Sequence, residues 1–505
     1  MSAGRAHTAP IDPHTVEHRG MITVAIMLAT IMQALDTTIA NVALPHMQGS
    51  LQASQDQITW VLTSYIVAAA IATPLTGWLC SKWGRKQVFM TAVVGFTLAS
   101  ALCGLAGSLW QIVAARLLQG VFGAALVPLS QAVLLDINPK DKVGQAMALW
   151  GAGIMVGPIL GPMLGGWLTE SYNWRWVFYI NLPVGAMAIY GIARYLPQTR
   201  PAAARLDLFG FITLSLGVGL LQLFLDRGEQ LDWFSSIEIR AEMIASALAF
   251  AFFSVHTWTS LGNSFFNRAL LRDRNFVIGI TLAFIVGMIL YANMALQPSL
   301  LQGLMNYPIV FTGIVMAPRG IGTMFAMMVV GRLIHRIDPR AIMALGFTLT
   351  AFSLYLMTQL TLDMDSTLIV VSGTIQGLGI GFTFVPLSVV AFSTLAPNLR
   401  NDGTPIYSLL RNIGASVGIS IVQAILSEST TRAHAKLSEA ITPFSAAVQN
   451  LPPLFNVQSP TGLGLLNLEI NRQATMIGYL SDFHLMMWLT LLAMPMLLLV
   501  RVRKP

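Results

Sequence analysis

The stretch LDTTIANVALP, residues 35–45, sets a carboxylate in apolar surroundings: between Met21 and Pro45, Asp36 is the sole ionisable side chain. An acid at the centre of a membrane helix costs about 2.5–3.5 kcal/mol on insertion scales, so it is a functional candidate by default. Gln33, Thr37, Thr38 and Asn41 provide polar neighbours at helical spacing. The chemistry open to such a group is proton exchange. Burial favours the neutral carboxyl and a nearby guanidinium favours the charged one, so a balanced group can load a proton in one conformation and release it in another. Arg116, in VAARLLQGVFGAA (113–125), is the expected partner. Counted at 1.5 Å per residue from Met21, Asp36 lies about 22 Å deep, at a height similar to that of Arg116. A permanent structural pair is the alternative. Arg319, in APRGIG (317–322), is a second intramembrane candidate, served by an anionic substrate, an acid or helix carbonyls. Arg240, Glu242, His256 and Arg411 read as groups near helix ends, which leaves Asp36 as the only acid expected at mid-membrane.

Two further patterns concern movement. In GIMVGPILGPMLGG, Gly153, Gly157, Gly161 and Gly165 fall four apart, as do Pro158 and Pro162, with Gly166 closing the run. That spacing puts the glycines on one face and lets a second helix backbone approach closely, for plain packing or for a moving contact. In GWLCSKWGRK, Gly77, Ser81, Lys82, Gly84, Arg85 and Lys86 make a tight turn that presents cations to neighbouring helix ends. This is either a gate or a simple cytoplasmic anchor.

The elements that hold these residues follow from composition. The 505 residues are 55% hydrophobic and 10% charged, against about 25% charged in soluble domains, and the mean hydropathy is +0.67. Fourteen spans are expected: 21–45, 58–80, 87–107, 110–135, 143–168, 177–196, 207–226, 238–258, 276–299, 308–334, 341–361, 367–394, 404–427 and 484–502. Every second connection is basic, from Lys82, Arg85 and Lys86 through Arg332, Arg336 and Arg340 to Arg501, whereas the opposite short loops hold Arg175 and Arg227. Positive charge on one side orients that side, and both termini, to the cytoplasm. The net charge of +7 is thus a topology signal, and no nucleic-acid partner is called for. Residues 428–483 are expected as a long external loop, with 467–481 able to form an amphipathic helix.

QGVFGAALVPLS (119–130) recurs as QGLGIGFTFVPLS (376–388), and GWLCSKWGRK (77–86) recurs more weakly as GRLIHRIDPR (331–340). Both matches shift the chain by eight spans. The fold class expected is an all-α polytopic membrane protein of two six-helix bundles plus two inserted helices. Its parts are a cytoplasmic tail at 1–20, an N-terminal bundle at 21–200, the inserted pair at 201–260 and a C-terminal bundle at 261–505. Parallel repeats of this kind place a transport site at their interface near mid-bilayer.

The loop GWLCSKWGRK resembles the signature loop of the major facilitator superfamily, with Ser81 where that family usually has aspartate. LDTTIANVALP resembles the first-helix signature of its fourteen-helix drug:proton antiporters, the EmrB/QacA group. VAARLLQGVFGAA, YNWRWVFYINLPVG (172–185) and LDRGEQLDWFSS (225–236) resemble further segments of that group, and the glycine run resembles its antiporter motif. The resemblance implies proton-coupled multidrug efflux through the bacterial inner membrane, driven by the proton gradient with no cofactor. It also implies a periplasmic membrane-fusion adaptor and an outer-membrane channel as partners, beside small-molecule drugs or metabolites and the lipid bilayer. Two alternatives stay open: a dedicated exporter of one metabolite, siderophore or organic acid, and a non-transporting membrane sensor. An enzyme is not expected: no phosphate-binding loop or metal-ligand spacing is present.

Overall fold

The computed structural model describes residues 16–139, 141–199, 206–260, 265–334, 336–439 and 459–501, with Ile441, Pro452 and Phe455. Most of the N-terminal tail expected at 1–20, and the basic residues Lys140, Arg200, Arg205 and Lys504, lie outside the described residues. In chain order the long helices are α1 (Arg19–Ser50), α2 (Trp60–Ala72 with Leu75–Trp83), α3 (Arg85–Leu105), α4 (Leu109–Ile137), α5 (Val143–Ser171), α6 (Trp176–Tyr195) and α7 (Leu208–Arg227). They continue as α8 (Ile237–Thr259), α9 (Arg274–Leu304), α10 (Ile309–Leu333), α11 (Pro339–Met357), α12 (Thr367–Ser393), α13 (Arg400–Glu439) and α14 (Pro460–Leu499).

Twelve of these are each long and apolar enough to span a membrane, and the bent α2 makes a thirteenth. The remaining one, α8, has 23 residues, but Glu238, Arg240, Glu242 and His256 dilute its apolar character. Thirteen spans therefore meet both criteria where fourteen were expected. Helix α2 turns by 56° at its break. Pro74 stands there, and proline has no N–H to return to the preceding turn. Pro298 ends the regular part of α9, which finishes in a π-turn over Ser299–Leu304.

The repeat read from sequence is a repeat of packing. In the first half α1 packs on α5 and α6, α2 on α4, and α3 on α4 and α6; in the second, α9 packs on α13 and α14, α10 on α12, and α11 on α12 and α14. The same pairs recur eight helices later. Helices α7 and α8 pair with each other, Ser246 Oγ donating to Gly217 O at 2.8 Å. Helix α7 also bridges the halves. A Cβ at Gly219 would touch Ile71 of α2 at 3.0 Å, while Gln222 Nε2 donates to Ser416 Oγ of α13 at 2.7 Å.

The expected external loop at 428–483 needs correction. Residues 428–439 continue α13, and α14 starts at Pro460, where the Ser459 hydroxyl accepts from Gly462 N at 3.0 Å. These segments read as loop because they are polar, but their residues pair at helical spacing. Arg432 meets Glu428, Gln473 donates to Glu469 at 2.8 Å, and His434 bonds Asn467 across the two helices at 3.0 Å. The last span therefore begins well before residue 484.

At the start of the inserted pair, Asp207 caps α7. Its carboxylate accepts from Gly210 N at 2.9 Å and Phe265 N at 2.8 Å, and lies 2.8 Å from His256 Nε2. Burial pushes this carboxyl up, but the two N–H groups and His256 outweigh it and hold Asp207 below its ordinary value. A lowered folded-state value means that the stabilisation is present above the ordinary carboxylate pKa near 3.9 and is lost as pH falls through the folded value. Asp207→Asn is expected to lower the unfolding temperature of the detergent-purified protein at neutral pH. The gap from wild type should close as the buffer is taken below about pH 4.

Candidate functional site

Asp36 is brought to Arg116 by the packing of α1 beside α4. Arg116 Nη1 donates to Asp36 Oδ2 at 2.6 Å, and each side chain is 1% exposed. Asp36 Oδ1 accepts from Gln119 Nε2 and from Asn181 Nδ2, both at 2.8 Å. The guanidinium also donates to Gln119 Oε1 at 2.9 Å and to Val61 O at 3.0 Å, and lies 4.4 Å from the Tyr65 ring centroid. Helices α1, α4 and α6 thus meet at the carboxylate, and α2 joins through Arg116. Asn181 was not singled out from sequence, although it stands as an amide in YNWRWVFYINLPVG just inside α6, which was the available signal. It donates to Ser100 Oγ of α3 as well, at 2.9 Å.

The other polar residues near Asp36 divide by helix face. Gln33 reaches the site through Tyr65, donating to its hydroxyl at 3.3 Å. Thr38 Oγ1 donates to Gly157 O on α5 at 3.1 Å. Thr37 is exposed and bonds its own helix carbonyls, and Asn41 is exposed as well, so these two do not join the cluster.

The glycine run of α5 faces this same helix. A Cβ on Gly157 would stand 2.6 Å from the backbone carbon of Ala34, one on Gly161 would collide with Thr38, and one on Gly165 would press on Ile39 at 3.3 Å. Gly153 abuts Met27, whereas Gly166 has open space. Pro158 and Pro162 sit half-buried on the same helix. The stripe therefore brings the α5 backbone against the turns of α1 on either side of Asp36.

The loop GWLCSKWGRK joins the two halves at their basic ends. Gly84 has φ +83°, and a Cβ there would meet Thr199 O at 2.7 Å. Arg85 N donates to Thr199 Oγ1 at 2.7 Å. The Arg85 guanidinium bonds Asp136 Oδ2 of α4 at 2.7 Å and Asn401 Oδ1 of α13 at 2.5 Å. Arg400 of α13 reaches the other oxygen, Asp136 Oδ1, at 3.0 Å. A Cβ on Gly77 would meet Asn401 O at 2.9 Å. Ser81 bonds Gly77 O within its own turn at 3.1 Å, Lys82 lies 4.7 Å from the Trp78 ring, and Lys86 donates to Ala193 O at 2.7 Å. The acid of this cluster is Asp136, a buried residue that sequence spacing did not pick out.

In the second half Arg319 donates to Asn293 Oδ1 and Gln297 Oε1, both at 3.1 Å, and to Leu290 O at 3.4 Å. Its partners are uncharged. Asp482, placed in a loop from sequence, lies instead in α14, 0% exposed. Asp36 is therefore not the only acid buried within a long apolar helix. Among the described residues, no three His, Cys, Asp or Glu side chains converge as metal ligands.

The model of the Major Facilitator Superfamily matches residues 26–419. The fatty acid resistance protein FarB of Neisseria gonorrhoeae is 35% identical over 464 residues, covering 90% of this chain and 91% of that one. The multidrug export protein EmrB of Escherichia coli K12 is 34% identical over 478 residues, covering 93% and 92%. The crystal structure of the human organic anion transporter MFSD10 (TETRAN) superposes with a TM-score of 0.61 at 16% identity, covering 95% of this chain and all of that one, a likeness of fold.

Breaking one side of a buried ion pair costs about 3–5 kcal/mol. Arg116→Ala is therefore expected to destabilise the detergent-purified protein strongly, and Asp36→Ala with Arg116→Ala by less than the two losses added; thermal unfolding of the four proteins checks this. The inner contact has its own reporter in Cys80, buried beside it. In a Cys103→Ser background, Asp136→Asn should raise the rate of Cys80 labelling by a maleimide several-fold.

Proposed function

The chain belongs to the major facilitator superfamily, and from that premise we propose that it exports amphipathic toxic compounds across the bacterial cytoplasmic membrane in exchange for protons. The observation that carries this reading is the carboxylate of Asp36, buried in a membrane helix and held by donors from α4 and α6. Burial opposes the ionised form, but a guanidinium and two amide N–H groups donate to this carboxylate, an arrangement that suits the state that has released its proton. A proton arriving at Oδ2 cancels the charge that holds Arg116, whose guanidinium keeps Gln119 Oε1 and Val61 O as acceptors. Loading Asp36 and parting it from Arg116 are then one event. A cationic amphiphile competes for the same carboxylate, so drug and proton exclude one another.

Movement follows from the contacts of α1. Because the glycines of α5 press on its backbone around Ala34 and Thr38, a shift of α1 on losing Arg116 passes directly into α5. The cluster of Arg85, Asp136, Arg400 and Asn401 serves as the inner gate, closed in this conformation. Substrates of this class meet adaptable apolar walls; the 26 methionines of the chain suit such surfaces. Both termini lie in the cytoplasm on this reading. In a cell with an outer membrane, a periplasmic adaptor and an outer channel complete the route, and the polar extensions of α13 and α14 are the segments with the length to meet them.

A second reading, export of one anionic amphiphile such as a fatty acid, is favoured by Arg319, a buried cation with uncharged partners, and by the likeness to FarB. Efflux from everted vesicles distinguishes the two, with a cationic dye and a labelled fatty acid as probes.

Asp36→Asn is expected to reach the membrane at wild-type levels and to reduce proton-gradient-driven efflux to the level of empty vesicles. Undiminished pumping by this variant would sink the proposal. Gly157→Leu should likewise stop transport while retaining part of the substrate binding, measured by dye fluorescence on the purified protein.

A further inference from the structure

Asp482 is 0% exposed, and neither of its carboxyl oxygens has a hydrogen-bond partner among the described residues. A charge in that setting carries a large uncompensated desolvation cost, so the group stands there as the neutral acid. Helix α14, which carries it, packs on α9, α11 and α13. Among the described residues, the titratable neighbour that interacts with it is Tyr479, on α14 itself, no charged group acts on it from α9 or α11, and Arg411 of α13 lies against the Phe384 ring and near Tyr407. The same half holds a complementary deficiency. Arg319 keeps its positive charge with only amide and carbonyl oxygens around it.

Met357, on α11, touches the Arg319 cluster, and α11 also packs on α14, the helix of Asp482. The amides that accept from Arg319 turn their N–H groups to the Met357 thioether, Asn293 Nδ2 at 3.6 Å and Gln297 Nε2 at 3.9 Å. Sulfur there is a weak acceptor on a side chain that repacks readily. Met357 packs in one cluster with Tyr479, Phe483 and Met486, the residues of α14 around Asp482. The two halves also match with the roles exchanged. In the first half the acid is on α1 and the amide, Asn181, on α6; in the second the amide, Asn293, is on α9 and the acid on α14, the helices that correspond under the eight-helix repeat.

We infer that Asp482 is a second proton-binding carboxyl, which in another conformation displaces Met357 and pairs, ionised, with the Asn293–Gln297–Arg319 cluster. The step transfers one proton from the carboxyl to water and leaves a −1 group beside the +1 of Arg319. The inference rests on proton-coupled export and extends it from one site to two.

Infrared spectroscopy of the purified protein in lipid nanodiscs tests the site without requiring transport. At neutral pH the band of a protonated carboxyl is expected in wild type, absent in Asp482→Asn and retained in Asp36→Asn. Raising the pH should remove it in wild type, while in Arg319→Gln it should persist at a pH where wild type has lost it. In proteoliposomes the proton-to-substrate ratio is expected to fall by one in Asp482→Asn and to recover in Asp482→Glu. A band indifferent to Asp482→Asn, an equal loss of the band with pH in Arg319→Gln, or an unchanged proton ratio would each overturn the inference. Should Asp36→Asn pump normally while the Asp482 band behaves as expected, the proposed role of Asp36 fails and the second site stands.

Discussion

The buried pairing of Asp36 with Arg116 is the constraint around which the first half is built. Neither charge is affordable alone in a hydrocarbon layer, so each must be brought to the other and every remaining lone pair and N–H given a partner. The chain meets this with Gln119 one turn along α4, Asn181 at the start of α6, Val61 O from α2 and the Tyr65 face. Those groups fix the relative heights of four helices. The small residues do the rest: without a side chain at Gly157, α5 can lie against the backbone of α1. Charge satisfaction and close packing therefore specify the same helix arrangement.

The second half keeps the arrangement and changes the chemistry. Its helices pair as those of the first half do, and its glycines make comparable approaches, a Cβ on Gly418 standing 2.5 Å from Met288 O. Yet Arg319, its buried cation with amide partners, sits on α10 and not on the counterpart of α4, and Asp482 has no hydrogen-bond partner among the described residues. An ion pair already formed in one half and an unformed one in the other give the two bundles different reasons to move. A repeat in backbone packing is thus compatible with division of labour between the charges.

Much of this was legible in the sequence. Asp36 and Arg116 declared themselves because an isolated charge in an apolar run is expensive, and the glycine stripe because its period is that of a helix face. The eight-helix shift came from two short repeats. What escaped did so for physical reasons. Asp136 lies near the basic loops, where an acid looks like ordinary surface charge; its burial depends on α13 covering it from the other half. Asn181 carries no charge and so gave no energetic alarm. Asp482 was hidden by its polar neighbours in α14, since hydropathy measures local composition and cannot see that the polar parts of α13 and α14 pair with each other. Thr37 and Asn41 stand outside the Asp36 cluster because helical spacing fixes which residues share a face, not which partner that face meets.

One helix connects the two charged clusters. Helix α4 carries Arg116 and Gln119 towards one end and Asp136 at the other, twenty residues from Arg116 to Asp136, or about 30 Å at 1.5 Å per residue. It consists of two helical pieces, Leu109–Gly123 and Leu126–Ile137, joined at Ala124–Ala125. Gly120 and Gly123, just before the joint, lie against Tyr65 and Ala68 of α2, and the second piece is buried at every residue but the half-buried Val127. On the proposed mechanism a proton taken by Asp36 frees the piece that carries Arg116, while the piece that carries Asp136 remains tied to Arg85 and Arg400. Release of the inner contact then requires that the joint transmit the tilt instead of absorbing it. The close fit of α2 against the glycines supplies the stiffness for that, because a helix wedged at its joint by a neighbouring backbone has little room to bend there.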